Sequence, residues 1–128
     1  MSELQALARE FAYEREWQQY HSPRSLALAL VGEVGELSAE FQWLKDEEIL
    51  GGFACTDNGT RVRHELGDVL YCMLRLADVL QVDLEDVFRE KLRIIGTQYP
   101  VELARGSREK WSRRQPQGAS HPEGMCEA

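Results

Sequence analysis

Acidic side chains recur at helical spacing in two apolar stretches of this 128-residue sequence. In the first stretch, Glu33, Glu36 and Glu40 are three and four residues apart, so on a helix all three project from one face. In the second stretch, Glu65 and Asp68 are again three residues apart. A solvated acidic face is the ordinary explanation of such spacing. However, Glu33 and Glu36 lie within LALALVGEVGEL, where a carboxylate must be paired, protonated or bound to a metal.

The two acidic pairs would offer four carboxylates to one or two cations if their helices face each other. The candidate metal ligands are Glu33, Glu36, Glu65 and Asp68. Hard oxygen ligands without convergent Cys or His suit Mg²⁺, with Mn²⁺ as the alternative. A ferritin-like di-iron site fits less well, because it needs a His three residues after a Glu, and His64 instead precedes Glu65. Since Mg²⁺ held by carboxylates also takes phosphate oxygens, we expect a polyphosphate substrate and phosphoryl or nucleotidyl chemistry.

Aromatic and basic residues flank the acidic stretches. Trp17, His21 and Trp43 offer flat rings that could stack on a nucleobase, although they could equally be ordinary core or rim residues. Lys91 belongs to a downstream group of basic residues for which phosphate ligation and plain solvation are both open. These residue types alone do not distinguish base stacking from core packing, or phosphate ligation from solvation.

Hydrophobic periodicity predicts four helices and no strand. Residues Ser2 to Tyr20 form the first predicted helix. Ser22 is placed as the N-cap of the second helix and Pro23 suits its first turn, and the body of this helix extends from Leu26 to about Glu47. This second helix carries the first acidic stretch.

A loop is predicted over Ile49 to Gly59, followed by a third helix from Thr60 to about Leu80. The third helix is apolar over more than half of its circumference, so we expect it to be central or to lie at a subunit interface. A fourth helix begins near Leu84 behind an Asp cap and continues to about Gly96, and Tyr99-Pro100 must end it. The predicted fold class is therefore an all-α, four-helix arrangement.

Composition indicates one globular domain. The chain is 43% hydrophobic and 29% charged, which is typical of a protein with a single core. Its net charge of −7 argues against nucleic-acid binding, and no apolar run reaches the roughly 18 residues of a membrane span. We expect a cytoplasmic domain over residues 1–111 and a disordered tail over residues 112–128, where Pro, Gly and Ser are abundant.

Four segments resemble the MazG-like all-α nucleoside triphosphate pyrophosphohydrolases: GEVGELSAEFQW (32–43), ELGDVLYCMLRLAD (65–78), VDL (82–84) and KLRIIGTQYPVELARGS (91–107). The run FAYEREWQQYHSPRSL (11–26) brings the likeness closest to the dCTP pyrophosphatase branch. The E-x-x-E and E-x-x-D motifs are its most specific part. The resemblance implies hydrolysis of a (deoxy)nucleoside triphosphate, dCTP or a modified dCTP, between the α- and β-phosphates. Control or cleansing of the dNTP pool is the purpose that the family suggests.

The resemblance also implies roles for single residues. The four acids match the family's Mg²⁺ ligands, and Trp17, His21, Trp43 and Lys91 match its base, sugar and phosphate contacts. Cys72 stands where the dCTP branch has a sugar-side Tyr, and Ile95 stands where a K-x-x-x-N motif has Asn. The family forms dimers or tetramers, so a homodimer or homotetramer is implied. For the attacking water, Glu36 is our candidate general base and Glu40 is the alternative.

Two other functions are open from the sequence. A helical homo-oligomer of the same fold could bind nucleotide or metal without hydrolysis, as a relative altered at Cys72 and Ile95. Retention of all four acids argues against this alternative. A purely structural module that uses the third helix as its interface would leave the acids without a cation, so Glu33→Ala and Asp68→Ala would then be neutral or stabilising.

Overall fold

The computed structural model describes residues 2–50 and 55–111, which form an all-α fold without strands in these ranges. Its helices are α1 (Ser2–Tyr13), a 3₁₀ helix (Trp17–Tyr20), α2 (Pro23–Ala39), α3 (Asp46–Leu50), α4 (Asp57–Val79), α5 (Leu84–Gln98) and α6 (Val101–Ala104). The predicted all-α class is confirmed. No helix in this part of the chain is both long and apolar enough to cross a membrane. Residues 51–54 of the predicted loop and the predicted tail over 112–128 lie outside the described residues.

The first helix is shorter than predicted. It ends at Tyr13, and at Glu16 the backbone adopts a left-handed conformation with φ of 54°. Arg15 stabilises the turn, because its Nη1 donates to the Phe11 carbonyl oxygen at 2.9 Å and its guanidinium carbon lies 3.6 Å from the Phe11 ring centroid. The chain reversal then places Trp17 edge-on to Phe11, with ring centroids 5.9 Å apart. Helical spacing of the apolar residues does not reveal this break.

The start of α2 agrees with the sequence prediction, and a cap explains it. Ser22 Oγ accepts a hydrogen bond from the Ser25 N–H at 3.1 Å, and Pro23 occupies the first turn.

We expect Ser22→Ala to lower the free energy of unfolding by about 1 kcal/mol, because the Ser25 N–H then loses its acceptor. Urea unfolding measures the loss. Ser38→Ala is the matched control, since Ser38 Oγ bonds the Val34 carbonyl oxygen within α2, which does not stabilise a helix. Equal losses in both variants would contradict the cap.

The end of α2 differs from the prediction. The helix stops at Ala39 rather than near Glu47. The Phe41 N–H bonds the Ser38 carbonyl and the Gln42 N–H bonds the Ala39 carbonyl, each across three residues. Such bonds tighten a helix into its final turn. The chain then forms the separate short helix α3 within the region assigned to α2 and the loop.

The central helix α4 begins earlier than predicted. Thr56 Oγ1 accepts a hydrogen bond from the Gly59 N–H at 3.0 Å, so Thr56 is the N-cap and the helix starts at Asp57 rather than Thr60. The turn-forming residues from Asp57 to Gly59, which the sequence places in the loop, therefore form the first helical turn. At its other end α4 stops at Val79, close to the predicted boundary.

Up to Val87, the core forms around α4, which packs against α1 and α2. Its apolar part combines Val62, Cys72, Leu74 and Ala77 of α4 with Ala8 and Ala12 of α1 and Leu26 of α2. Other apolar side chains of α4 stay exposed, among them Leu66, Leu70 and Met73. Because α4 packs against both α1 and α2, its predicted central position is confirmed.

The described residues divide into two compact units between Val87 and Phe88, so the boundary falls within α5. Asp83 caps α5 as predicted, since its Oδ1 accepts the N–H groups of Glu85 at 2.8 Å and Asp86 at 3.2 Å. The helix ends at Gln98, as the following Tyr99-Pro100 pair requires. In the second unit, the Trp111 N–H donates to the Tyr99 hydroxyl at 3.3 Å. The single domain over residues 1–111 stays a prediction.

Candidate active site

Three carboxylates from two helices converge in the first unit. Glu33 and Glu36 lie one turn apart on α2, and Glu65 lies on α4. One oxygen from each carboxylate lies within 4.8 Å of the others. Glu33 and Glu65 are half-buried and Glu36 is exposed. This acidic cluster (Glu33, Glu36 and Glu65) brings together three of the four metal ligands suggested by the sequence.

The acidic cluster is poorly compensated. Partial burial raises the pKa of Glu33, and the nearby carboxylates of Glu36, Asp68 and Glu65 raise it further. Glu65 Oε2 is buried and has no hydrogen-bond partner in the described part of the chain. A buried carboxylate oxygen without a donor costs free energy, and clustered like charges add to that cost. A divalent cation would remove both penalties, so these residues fit a metal of the Mg²⁺ type.

Asp68, the fourth candidate ligand, lies beside the cluster. It is not one of the three mutually close carboxylates, but its charge raises the pKa of both Glu33 and Cys72. It also lines an apolar cavity of about 560 Å³. Asp68 therefore stands at the junction between the acidic cluster and this cavity.

The cavity, called here the aromatic groove, lies between α1, the 3₁₀ helix and α4. Its walls include Phe11, Trp17, Leu70 and Tyr71. The Phe11 ring is edge-on to both Trp17 and Tyr71, with centroids 5.9 Å apart in each pair. The volume is in the range of small-molecule sites, and Trp17 is 41% exposed, so a flat apolar ring could contact it. Sequence reasoning found Trp17 but missed Phe11 as part of this wall.

His21 follows the 3₁₀ helix and is half-buried. Its ring lies edge-on to Trp17 at 6.4 Å between centroids. Its Nδ1 accepts a hydrogen bond from Arg75 Nε at 3.3 Å. Burial lowers the pKa of His21, and the positive charge of Arg75 lowers it further. Sequence reasoning missed Arg75 and its partner Asp78, although an Arg and an Asp three residues apart in an apolar helix were a usable signal.

The remaining candidate residues have different surroundings. Trp43 is 86% exposed and does not line the aromatic groove. Glu40 Oε2 accepts from Arg61 Nε at 2.9 Å, so Glu40 is engaged in an ion pair. Cys72 is buried, and its pKa is raised by burial and then by Glu33 and Asp68. Lys91 is exposed on α5 in the second unit.

Comparisons with known proteins agree on one family. The family described as MazG nucleotide pyrophosphohydrolase domain matches residues 21–100. The chain is 41% identical to dCTP pyrophosphatase 1 of Homo sapiens over 119 residues, which cover 93% of this chain and 69% of that protein. It is also 41% identical to dCTP pyrophosphatase 1 of Bos taurus over 112 residues, covering 88% of this chain and 66% of that protein. The chain thus spans about two thirds of these relatives.

A solved structure shows the same fold. The crystal structure of a pyrophosphatase from Archaeoglobus fulgidus DSM 4304 superposes with a TM-score of 0.69 at 33% sequence identity. The match covers 78% of this chain and 92% of that one.

Proposed function

This chain belongs to the MazG nucleotide pyrophosphohydrolase family, and on that premise we propose that it hydrolyses a (deoxy)nucleoside triphosphate to the monophosphate and pyrophosphate. The observation that carries the proposal is the acidic cluster beside the aromatic groove. A nucleoside triphosphate needs both features, because its phosphates require compensating charge and its base favours an apolar, aromatic surface. Asp68 lines the groove and its charge raises the pKa of Glu33 in the cluster, which supports a single site that includes both features.

The metal ligands in this proposal are the acidic cluster and Asp68, with Mg²⁺ as the ion and Mn²⁺ as the alternative. When bound, the ion supplies positive charge that offsets the negative charge developing on the departing pyrophosphate. Glu36 is the exposed member of the cluster, which suits a general base that takes a proton from the water attacking the α-phosphorus. Glu40 is less suited to that role, because Arg61 already holds its carboxylate.

The nucleoside part of the substrate is proposed to enter the aromatic groove. Trp17 would contact the base, and His21 would contact the base or sugar from its position beside Trp17. Cys72, Trp43 and Lys91 remain proposed substrate contacts. The names of the relatives support dCTP or a modified dCTP as the substrate.

A homodimer or homotetramer is proposed as the assembly, with the catalytic domain over residues 1–111. Large apolar side chains that remain exposed in the single chain support it, including Leu66 and Met73 on α4. A lone small domain rarely leaves so much apolar surface in water.

The direct test is release of pyrophosphate and monophosphate from a panel of nucleotides, with Mg²⁺ and with a chelator. The panel contains dCTP, 5-methyl-dCTP, dTTP, dUTP, dATP, dGTP and the four ribonucleotides. We expect metal-dependent release from dCTP or its methylated form, because the acidic cluster requires a cation before phosphates can approach. Glu10→Gln, which removes an exposed carboxylate of α1, is the control that should keep the full rate. Nucleotide binding without release from any member of the panel would favour the non-catalytic oligomer instead.

A further inference from the structure

Arg75 is a buried cation for which the proposed reaction has no use. Its exposed fraction is 2%, the lowest among the large side chains in the described ranges, although it lies on the mainly apolar helix α4. A buried guanidinium is stable only when it is paired and hydrogen-bonded. Arg75 Nη1 donates to Asp78 Oδ2 at 2.6 Å, and Arg75 Nε donates to His21 Nδ1 at 3.3 Å. The side chain therefore connects the half-buried carboxylate of Asp78 with a residue proposed to face the nucleotide.

The carboxylate of Asp78 is held from two sides. Its Oδ1 accepts from Arg9 Nε at 2.7 Å, while Oδ2 accepts from Arg75. Burial alone would raise the pKa of Asp78, but the hydrogen bonds and charges of Arg9 and Arg75 outweigh burial and lower it. Asp78 is thus ionised at neutral pH. It fixes the guanidinium of Arg75 in the orientation that directs Nε to His21.

This contact determines which nitrogen of His21 carries the proton. An Arg guanidinium keeps its protons in proteins and cannot accept a hydrogen bond, so Nδ1 of His21 must present its lone pair. The proton of the neutral imidazole then lies on Nε2. Protonation of Nδ1 would break the hydrogen bond and bring two positive groups into contact. The ring lies against Trp17 on the 3₁₀ helix and accepts the hydrogen bond from Arg75 on α4, and Arg75 is paired in turn with Asp78, which is paired with Arg9 of α1.

We propose that Arg75 is a positioning residue that fixes His21 as the neutral tautomer with its hydrogen on Nε2. His21 would then offer one hydrogen-bond donor to an uncharged oxygen of the nucleoside. An imidazolium would instead carry a positive charge and a second donor, and it would attract phosphate oxygens. The inference rests on the proposed function only in placing His21 against the nucleotide, since the tautomer itself is a property of the free protein.

Nitrogen-15 NMR of histidine-labelled protein tests the tautomer directly. The chain contains three histidines, and His21→Gln identifies the His21 signals. We expect Nδ1 to be unprotonated and Nε2 protonated at pH 7, with a His21 pKa below 6.5. In Arg75→Met the pKa should rise toward 6.5 and both tautomers should appear. Arg63→Met, an exposed Arg on the same helix, is the matched control and should change neither quantity. A proton on Nδ1 in the wild-type protein would overturn the proposal, even if Arg75→Met does not fold.

Steady-state kinetics with dCTP test the positioning role separately. In the wild-type protein, KM should begin to rise only at a lower pH than in Arg75→Met, because burial and the charge of Arg75 lower the pKa of His21. In Arg75→Met, KM should rise several-fold as the pH falls through the new His21 pKa, while kcat changes less. Arg75→Lys, which keeps the positive charge, should retain much of the lowered His21 pKa and so much of the wild-type profile. An unchanged pH profile of KM in folded Arg75→Met would overturn the positioning role.

The two experiments also separate this inference from the proposed function. If the wild-type protein hydrolyses no nucleoside triphosphate but shows the Nε2–H tautomer with its dependence on Arg75, the proposed function fails and the tautomer assignment stands.

In an active enzyme, comparison of dCTP with 2′,3′-dideoxy-CTP in the wild-type protein and in His21→Gln locates the oxygen that accepts the hydrogen bond from His21. If His21 contacts the 3′ oxygen, His21→Gln should change KM for dCTP only. If His21 contacts the base, the substitution should change KM for both nucleotides.

Discussion

Glu65→Gln should lower kcat/KM for the preferred nucleotide by about 10²–10³-fold and, without metal, should leave the protein as stable as the wild type or slightly more stable. Glu65 contributes a buried oxygen, Oε2, that has no hydrogen-bond partner in the described part of the structure. Glutamine has the same shape without the charge, so it relieves repulsion from Glu33 and Glu36 while removing a strong cation ligand. Opposite effects on activity and stability are the signature of a carboxylate retained for a ligand.

The same variant gives a readout that does not depend on turnover. A cation that binds only the folded protein stabilises it by about 2.7 kcal/mol at a concentration one hundred times its Kd. Mg²⁺ should therefore raise the Tm of the wild-type protein and of Glu10→Gln, and it should have much less effect on Glu65→Gln. Wild-type turnover in Glu65→Gln, or an equal Mg²⁺ effect on its Tm, would remove Glu65 from the metal site.

Local chemistry made several helix boundaries predictable. Ser22 and Asp83 accept backbone N–H groups within the next turn, and Pro100 restricts the residue before it, so each signal acts over a few residues. The break after Tyr13 was not predictable in this way. It depends on Arg15 and Trp17 folding back on Phe11, and apolar periodicity continues through the break. Side-chain contacts over four to six residues, which apolar periodicity does not record, therefore decided this boundary.

The candidate site likewise contains residues that the sequence pattern identified and one that it did not. Glu33, Glu36 and Glu65 were identified from spacing, because two acids one turn apart in an apolar helix have few structural explanations. Arg75 was missed because an Arg on a helix is usually solvated, and its spacing to Asp78 was the one local signal of its burial. Its burial depends on Asp78 and on Arg9, which is 69 residues away in sequence from Asp78. No local pattern contains that pairing.

Asp78→Asn should be the most destabilising single substitution of a polar side chain in this network, with a loss of about 3 kcal/mol in the free energy of unfolding. Asparagine keeps the shape of the side chain but removes the charge that compensates Arg75, which has only 2% of its surface in water. The loss should depend on pH in a defined direction. The pKa of Asp78 is lowered from its ordinary value of 3.8, so its contribution is fully present above that pH and is lost as the pH falls through the folded-state pKa. The wild type and Asp78→Asn should therefore converge in stability only in strong acid.

Urea unfolding at pH 7 and at successively lower pH measures this difference. Asp46→Asn, an exposed acid in the first turn of α3, is the matched control, and it should cost less than about 1 kcal/mol. Replacement of both partners, in Arg75→Met with Asp78→Leu, should recover much of the lost stability, because an apolar pair leaves no buried charge without a partner. That double variant would still lack the hydrogen-bond donor to His21. It therefore separates the effect of the network on stability from its effect on the protonation of His21. If it is stable but shows a His21 pKa raised toward 6.5, the ion pair is needed for the protonation state of the site rather than for the fold. A loss in Asp78→Asn no larger than in Asp46→Asn would show instead that Arg75 finds adequate compensation elsewhere.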